Sequence, residues 1–209
     1  YGDHRDLHYP LRRQRQMCIR DRVEDLPYRA GNIYGESKIE SEKVALKYKR
    51  EGLNTAILRP CMVYGEDEPH LLRTLLFLIK HRLYPLLNGG ENLFHLVYVE
   101  NVVDAMILAC SQESFLEKPV FVADREVLKL KDVADIMADA IGAKRPLRLP
   151  RSLTPFFIKL PLIGDKFKLL IKDRSYSTDR LLSYGFKHRF STPEALYKSC
   201  RNMFYGAGM

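Results

Sequence analysis

The stretch that decides the fold is IYGESKIESEKVALKYKREGLNTAILRP, residues 33–60. Its first part, residues 33–51, holds strong helix formers without proline, and its apolar and charged residues recur at helical spacing. Gly52 ends this predicted helix, and the apolar run at residues 54–58, which Pro60 bounds, predicts a buried strand. A helix that leads directly into such a strand is half of a β–α–β unit, so the sequence predicts an α/β fold.

Shorter elements are predicted along the rest of the chain. Short strands are expected at residues 94–99 and 120–123. Asn101 is expected to be the N-cap of the helix that follows the first of them. The further helices are predicted at residues 71–83, 101–110, 130–142 and, close to the end, 193–204.

The composition is that of a globular protein. The chain has 209 residues, of which 46% are hydrophobic, and this excludes a disordered tail, a collagen-like fibre and a disulfide-stapled miniprotein. Its 4 cysteines lie far apart, without a Cys-x-x-Cys pair, so neither a zinc knuckle nor a disulfide framework is predicted. A reducing, cytoplasmic location is therefore expected.

No membrane span or secretory signal is predicted. The most apolar stretch, residues 153–171, is interrupted by charged side chains, so it cannot supply the ~20 apolar residues that a bilayer crossing needs. Within it, residues 155–163 suit a core, an apolar ligand or an interfacial helix, which leaves a peripheral membrane association open. The N-terminus lacks the features of a secretory signal.

The net charge of +8 is concentrated near the N-terminus. Residues 12–22, RRQRQMCIRDR, hold five Arg and one Asp and so carry half of it. This could be a basic arm for nucleic acid or anionic lipid. However, the string resembles, residue for residue, the translation of a transposon-type sequencing adaptor, so residues 1–22 are predicted to be a non-native tail. The mildly basic remainder, with 28 Lys+Arg against 23 Asp+Glu, requires no nucleic-acid partner.

The chemically informative cluster is Tyr34-Gly35-Glu36-Ser37-Lys38. Tyr34 and Lys38 are one helical turn apart, so both side chains project from the same face. A neighbouring ammonium stabilises the phenolate form of a tyrosine, and such a tyrosine can exchange a proton with a carbinol while a hydride leaves or arrives at its carbon. Alone, the spacing is a weak signal, because such pairs arise often by chance and the ordinary interpretation is a surface helix.

Three segments carry a resemblance to a known family: YGESK at 34–38, LRPCMVYG at 58–65 and HLVYVENVVDA at 95–105. In this order and spacing they resemble the extended short-chain dehydrogenase/reductase family, also called the NAD-dependent epimerase/dehydratase family. STDRLLSYGF at 177–186 and STPEAL at 191–196 resemble its closing segment, so the resemblance covers about residue 24 to the end.

The resemblance implies a fold and a domain division. The fold is α/β, with a partial Rossmann-like parallel sheet, flanking helices and a small, mainly helical substrate lobe at the C-terminus. Residues 23–112 would be the C-terminal part of the Rossmann domain, with a substrate-lobe insertion at about 66–94. Residues 113–209 would be the substrate-binding lobe.

The resemblance also implies roles for particular residues. Tyr34 would be the catalytic acid–base, and Lys38, the second catalytic residue, would tune it and bind the nicotinamide ribose of NAD or NADP. Residues 60–63 would pack along the nicotinamide, while Arg59 is expected to form structural hydrogen bonds. A homodimer would form through the helix that carries Tyr34 and Lys38. The implied cofactor-binding residues are Tyr34, Lys38, Pro60, Cys61, Met62 and Val63.

One part of the family pattern is missing from these 209 residues. No Gly-x-x-Gly-x-x-Gly turn, which would receive the cofactor pyrophosphate at a helix N-terminus, is present. The family's Ser or Thr ahead of the Tyr is absent as well. The sequence therefore predicts an inactive C-terminal fragment of an enzyme, without measurable dinucleotide binding.

The expected activity is hydride transfer at a CH–OH or ketone group of a small-molecule substrate. The exit sequence Leu-Arg-Pro at residues 58–60 resembles the branch that acts on hydrophobic molecules such as steroids or dihydroflavonols. The alternatives are a nucleotide-sugar epimerase or dehydratase and a non-enzymatic dinucleotide-binding module. No metal site is predicted, because the His4 and His8 pair fits chance and the carboxylate run at 66–68 fits a solvated loop.

Overall fold

The computed structural model describes Glu24 and residues 33–68, 71–158 and 172–206. Helix α1 spans Ile33–Arg50, one residue short of its predicted end. It ends in a Schellman motif, because the Gly52 N–H donates to the Lys49 carbonyl at 3.1 Å and the Leu53 N–H to the Tyr48 carbonyl at 3.0 Å. Gly52 has φ +99°, a conformation that glycine adopts without strain, so the predicted helix stop is confirmed.

The strands form three short pairs. β1 (Leu58–Pro60) lies parallel to β5 (Val120–Val122), with Leu58 opposite Val120. β2 (Met62–Tyr64) lies parallel to β4 (Leu96–Tyr98), with Tyr64 opposite Tyr98. β3 (Leu93–Phe94) is antiparallel to β6 (Leu128–Lys129). Parallel pairs need crossover connections, and helices between these strands supply them.

Helices fill the connections and the C-terminal part. Each long one has an apolar face, as the hydrophobic spacing predicts. In the described part of the chain, the remaining α-helices are α2 (Leu71–Lys80), α3 (Val99–Ser111), α4 (Leu130–Ala140), α5 (Thr154–Ile158), α6 (Asp179–Ser183) and α7 (Thr192–Gly206). Short 3-10 helices lie at Leu87–Gly90, Glu113–Leu116 and Arg151–Leu153.

Three local predictions are wrong. The strand predicted at residues 54–58 begins only at Leu58, because its ladder forms where β5 lies opposite. The strand predicted at residues 94–99 is two strands, β3 and β4, in different sheets, and His95 between them is buried. Asn101 is not an N-cap: Tyr98 occupies that position, and the Asn101 side chain instead points to a buried carboxylate.

Two apolar clusters form the core. The helical cluster packs α2, α4 and α7 against one another and is centred on Leu76, Met137 and Leu196, each at most 1% exposed. The sheet cluster lies beneath the β1–β5 pair and contains Val97, Ala105, Phe115, Val120, Val122, Leu181 and Phe186.

The predicted domain division stays a prediction. The pairing of β1 with β5 crosses the proposed boundary at residue 112, and so does the sheet cluster, to which both sides contribute. Residues 1–22, the predicted tail, lie outside the described residues. In the described part of the chain, no helix is both long enough and apolar enough to cross a membrane.

Candidate active site

Helix α1 brings Tyr34 and Lys38 together, at the spacing the sequence predicts. The Lys38 Nζ atom lies 5.4 Å from the centroid of the Tyr34 ring. The Tyr34 side chain is 70% exposed, and Lys38 is exposed as well, so both can be reached from solvent. The Ser37 hydroxyl donates to the Tyr34 carbonyl at 2.8 Å and so points into its own helix.

The second group of predicted residues is the 60–63 segment, which spans the junction of β1 and β2. Pro60 ends β1, and Met62 and Val63 begin β2. Pro60 and Val63 are exposed, while Cys61 and Met62 are partly buried. Burial raises the pKa of the Cys61 thiol, and the charge of Asp124 raises it further, so this cysteine is a neutral thiol while the segment is in its folded position.

Arg59 connects the two groups. Its guanidinium forms a bidentate pair with Glu42 of α1, at 2.6 Å from Nη2 to Oε1 and 3.0 Å from Nε to Oε2. Both side chains are largely buried, with 18% and 12% exposed. Arg59 also donates to the Glu24 carbonyl at 2.8 Å. The predicted structural role of Arg59 is thus confirmed, and it ties the helix of Tyr34 to the strand that precedes the 60–63 segment.

A buried hydrogen-bond network lies behind the 60–63 segment, and the sequence did not predict it. Asp124, at 0% exposure, accepts hydrogen bonds from four groups. These donors are the Tyr64 hydroxyl at 3.1 Å, the Tyr98 N–H at 3.0 Å, the Asn101 side-chain amide at 2.8 Å and the Thr192 hydroxyl at 3.2 Å.

The backbone of Asp124 is also held. Its N–H donates to the Leu96 carbonyl at 2.9 Å, and its carbonyl lies 2.7 Å from the Nε2 atom of the buried His95. The His95 Nδ1 atom accepts the Tyr176 N–H at 3.1 Å, which assigns the ring proton to Nε2. One sequence signal could have found Asp124: it follows β5 at its carboxyl end, where functional side chains of parallel sheets collect.

A small apolar cavity lies beside Met62 and Val63. Its volume is about 20 Å³, roughly enough for one water molecule. Apolar side chains dominate its wall, with Tyr64 and Glu68 as the other contributors. The apolar lining residues are Met62, Val63, Leu72, Leu75, Phe94, Leu96, Val133, Met137 and Leu196.

A family model decides the identity of the chain. The model of the "NAD dependent epimerase/dehydratase family" matches residues 9–124, more than half of the chain. The chain belongs to this family. The match begins ahead of the Arg-rich segment at residues 12–22, so the non-native origin of that segment stays a prediction.

Curated proteins resemble the chain over part of its length. The 3beta-hydroxysteroid-dehydrogenase/decarboxylase isoform 1 of Arabidopsis thaliana is 23% identical over 188 residues, which cover 75% of this chain and 42% of the relative. The sterol-4-alpha-carboxylate 3-dehydrogenase (decarboxylating) of Mus musculus is 35% identical over 101 residues, which cover 46% of this chain and 28% of the relative. The chain thus spans less than half the length of these relatives.

The fold agrees with solved structures of the epimerase/dehydratase family. UDP-glucuronic acid 4-epimerase from Bacillus cereus, in complex with NAD, superposes with a TM-score of 0.68 at 14% identity. The match covers 88% of this chain and 57% of the epimerase. The α/β, Rossmann-like fold class predicted from the sequence is therefore confirmed.

The family uses NAD(P). In this chain the Tyr34–Lys38 pair is exposed on α1, where a small molecule can reach it. The pyrophosphate end has no counterpart in these 209 residues, because they contain no Gly-x-x-Gly-x-x-Gly run. Among the described residues, no group of three or more His, Cys, Asp or Glu side chains could hold a metal ion.

Proposed function

We propose that this chain carries the acid–base machinery of an NAD(P)-dependent oxidoreductase that interconverts a CH–OH group and a ketone on an apolar substrate. One observation carries the proposal: Lys38 Nζ lies 5.4 Å from the centroid of the exposed Tyr34 ring, within one helix of a family that uses NAD(P). A phenol paired with an ammonium at a solvent-accessible face is suited to exchange a proton with a substrate hydroxyl.

The roles follow from the chemistry of each group. When bound, a nicotinamide cofactor would supply or accept the hydride. Tyr34 Oη takes the hydroxyl proton when the carbinol is oxidised and returns it when the ketone is reduced. The Lys38 ammonium would donate hydrogen bonds to the ribose of the bound cofactor. Pro60, Met62 and Val63 offer an apolar surface to a flat ring, and Cys61 stays a neutral thiol.

An apolar substrate is supported by the curated proteins that resemble the chain. The curated relatives from Arabidopsis thaliana and Mus musculus carry the names of sterol dehydrogenases. The likeness to UDP-sugar epimerases is below 25% identity and supports only the fold.

The test uses the open reading frame that contains these residues. The purified protein is assayed by nicotinamide absorbance with a 3-hydroxysterol and, separately, for epimerisation of a UDP-sugar. We expect sterol oxidation, and we expect Tyr34→Phe to lower kcat by about 10²- to 10⁴-fold, the usual contribution of acid–base catalysis. Lys38→Met should lower kcat as well.

Tyr48→Phe is the matched control, since Tyr48 is half-exposed on the same helix and outside the proposed site. Its activity should equal that of the wild type. Full activity of Tyr34→Phe would contradict the proposed acid–base role. Turnover of the UDP-sugar without turnover of the sterol would contradict the proposed apolar substrate and indicate a nucleotide sugar. For the 209-residue chain alone we expect no NADH or NADPH binding by isothermal titration, and micromolar affinity would contradict that expectation.

A further inference from the structure

We propose that Asp124 is a positioning residue: its buried carboxylate fixes the 60–63 segment and couples it to the start of helix α7. This inference rests on the proposed function, which places the 60–63 segment along the nicotinamide. Asp124 is fully buried, so the proposed role is to hold other residues in place and not to contact a ligand directly. Three features support the inference, namely where the carboxylate's donors come from, how deeply they are buried and how tightly the 60–63 segment is bounded.

The donors to Asp124 come from four separate elements. The Tyr64 hydroxyl belongs to β2, the Tyr98 N–H to the end of β4 and the Asn101 amide to α3. The Thr192 hydroxyl belongs to the first residue of α7. A single carboxylate therefore joins the strand that contains Met62 and Val63 to helix α7, whose first residue, Thr192, lies 128 residues after Tyr64 in the chain.

Burial makes this network cooperative. Tyr64, Tyr98, Asn101 and Thr192 are each at most 2% exposed, so none of them can exchange its partner for bulk water. A buried polar group that loses its partner keeps its desolvation cost, and movement of one member is therefore penalised by the others. The Tyr64 hydroxyl also lies 3.3 Å from the Thr192 carbonyl, which adds a second direct link between β2 and α7.

The 60–63 segment is bounded on both sides. On its N-terminal side Arg59 is held by Glu42, and the Cys61 N–H donates to the Val122 carbonyl at 3.0 Å. On its C-terminal side Tyr64 is anchored on Asp124. The next residue is glycine for a steric reason, because a Cβ atom at Gly65 would lie 2.7 Å from the Val99 Cγ1 atom. The segment has little freedom as long as Tyr64 stays in place.

The coupling to α7 is reinforced by a second carboxylate. Glu126 accepts the Thr192 N–H and the Thr192 hydroxyl, each at 3.0 Å, through its Oε2 atom. The Thr192 hydroxyl thus lies between Asp124 and Glu126 and can direct its proton to either. A shift of α7 changes the donors available to Asp124, and through Asp124 it changes the anchor of Tyr64.

The experiment measures site-resolved alkylation of the cysteines by iodoacetamide in the 209-residue chain, which needs no cofactor. Cys61 reports on the 60–63 segment, whereas Cys200, fully buried on α7, reports on global opening. We expect Tyr64→Phe and Thr192→Val each to speed alkylation of Cys61 by about 3- to 10-fold, the loss of roughly one hydrogen bond. Alkylation of Cys200 and of the exposed Cys110 should not change.

Tyr84→Phe is the matched control, because the buried Tyr84 hydroxyl has no hydrogen-bond partner among the described residues. It should leave all rates unchanged. Equal acceleration at Cys61 and Cys200 would show a purely structural role and overturn the proposal, as would an unchanged Cys61 rate in Tyr64→Phe. Absence of sterol oxidation would contradict the proposed function without changing the alkylation rates. Failure of the proposed function can therefore be distinguished from failure of the positioning role of Asp124.

Discussion

Helices α1 and α7 are similar in length but are held in different ways. None of the 18 residues of α1 is fully buried, although the Glu42 side chain is largely so, whereas the 15 residues of α7 bury Ala195, Leu196, Cys200 and Met203 among others. Helix α7 is held by apolar packing against α2 and α4. Helix α1 is attached by polar contacts, chiefly between Glu42 and Arg59 and between Lys49 Nζ and the Glu117 carbonyl.

This difference has a consequence for the candidate active site. Tyr34 and Lys38 lie on the helix that buries least, so their position relative to the 60–63 segment depends on a few directed contacts. The network around Asp124 lies next to the well-packed helix instead. A substitution can therefore displace α1 without unfolding the helical cluster, while a change in that cluster destabilises the whole chain.

The largest effect is expected at the centre of the helical cluster. Leu196→Ala leaves a cavity at a position with 0% exposure, and we expect the free energy of unfolding to fall by about 3 kcal/mol, a typical cost for a buried leucine. Val44→Ala on α1, where the side chain is 54% exposed, should change it by less than about 0.5 kcal/mol. Urea titration followed by circular dichroism measures both, and similar costs would refute the contrast between the helices.

A smaller and local effect is expected for Arg59→Met. The substitution leaves the largely buried Glu42 carboxylate without its guanidinium, at a cost of about 2 kcal/mol, since both side chains keep some exposure to water. We expect hydrogen exchange to rise throughout α1 but not in α7. Lys43→Met, which removes only the exposed pair with Glu40, should cost below about 0.5 kcal/mol. Unchanged exchange in α1 would mean that other contacts hold this helix.

The sequence predicted the helices well because their signals are local. The periodicity of residues 33–51 and the glycine after it located α1, and the Tyr34–Lys38 contact followed from a spacing of four residues. Strands were predicted less well, because a strand exists only where a distant partner lies alongside. For this reason the strand predicted at residues 54–58 begins too early in the chain. Strand β5, more than fifty residues away, decides where the hydrogen-bonded ladder begins.

The network around Asp124 illustrates what local signals cannot supply. Its members lie at positions 64, 98, 101, 124 and 192, and no short motif relates them. Only the register that sets Tyr64 opposite Tyr98, together with the docking of α7, brings these side chains to one carboxylate. Asn101 shows the same limit, because its position at a helix start suggested a cap while its actual partner lies 23 residues away.

The smallest effect is expected for the Tyr84 hydroxyl and appears only at alkaline pH. Burial raises the pKa of Tyr84 to about 12, so the folded state keeps its proton where the unfolded state, with a pKa of ~10, has lost it. A raised pKa in the folded state stabilises the fold below pH ~10, and this contribution is lost as the pH rises toward about 12. The free energy of unfolding of Tyr84→Phe should match that of the wild type within about 0.5 kcal/mol at pH 7 and exceed it by about 1 kcal/mol at pH 11.

Urea titrations of the two proteins at both pH values measure this difference. Other buried groups with raised pKa values, namely Cys61, Tyr64 and Cys200, are present in both proteins, so their contributions to the pH dependence cancel when the two titrations are subtracted. The half-exposed Tyr48 on α1 provides the control: Tyr48→Phe should follow the wild type at both pH values, and an equal gain there would show that burial of Tyr84 is not the cause.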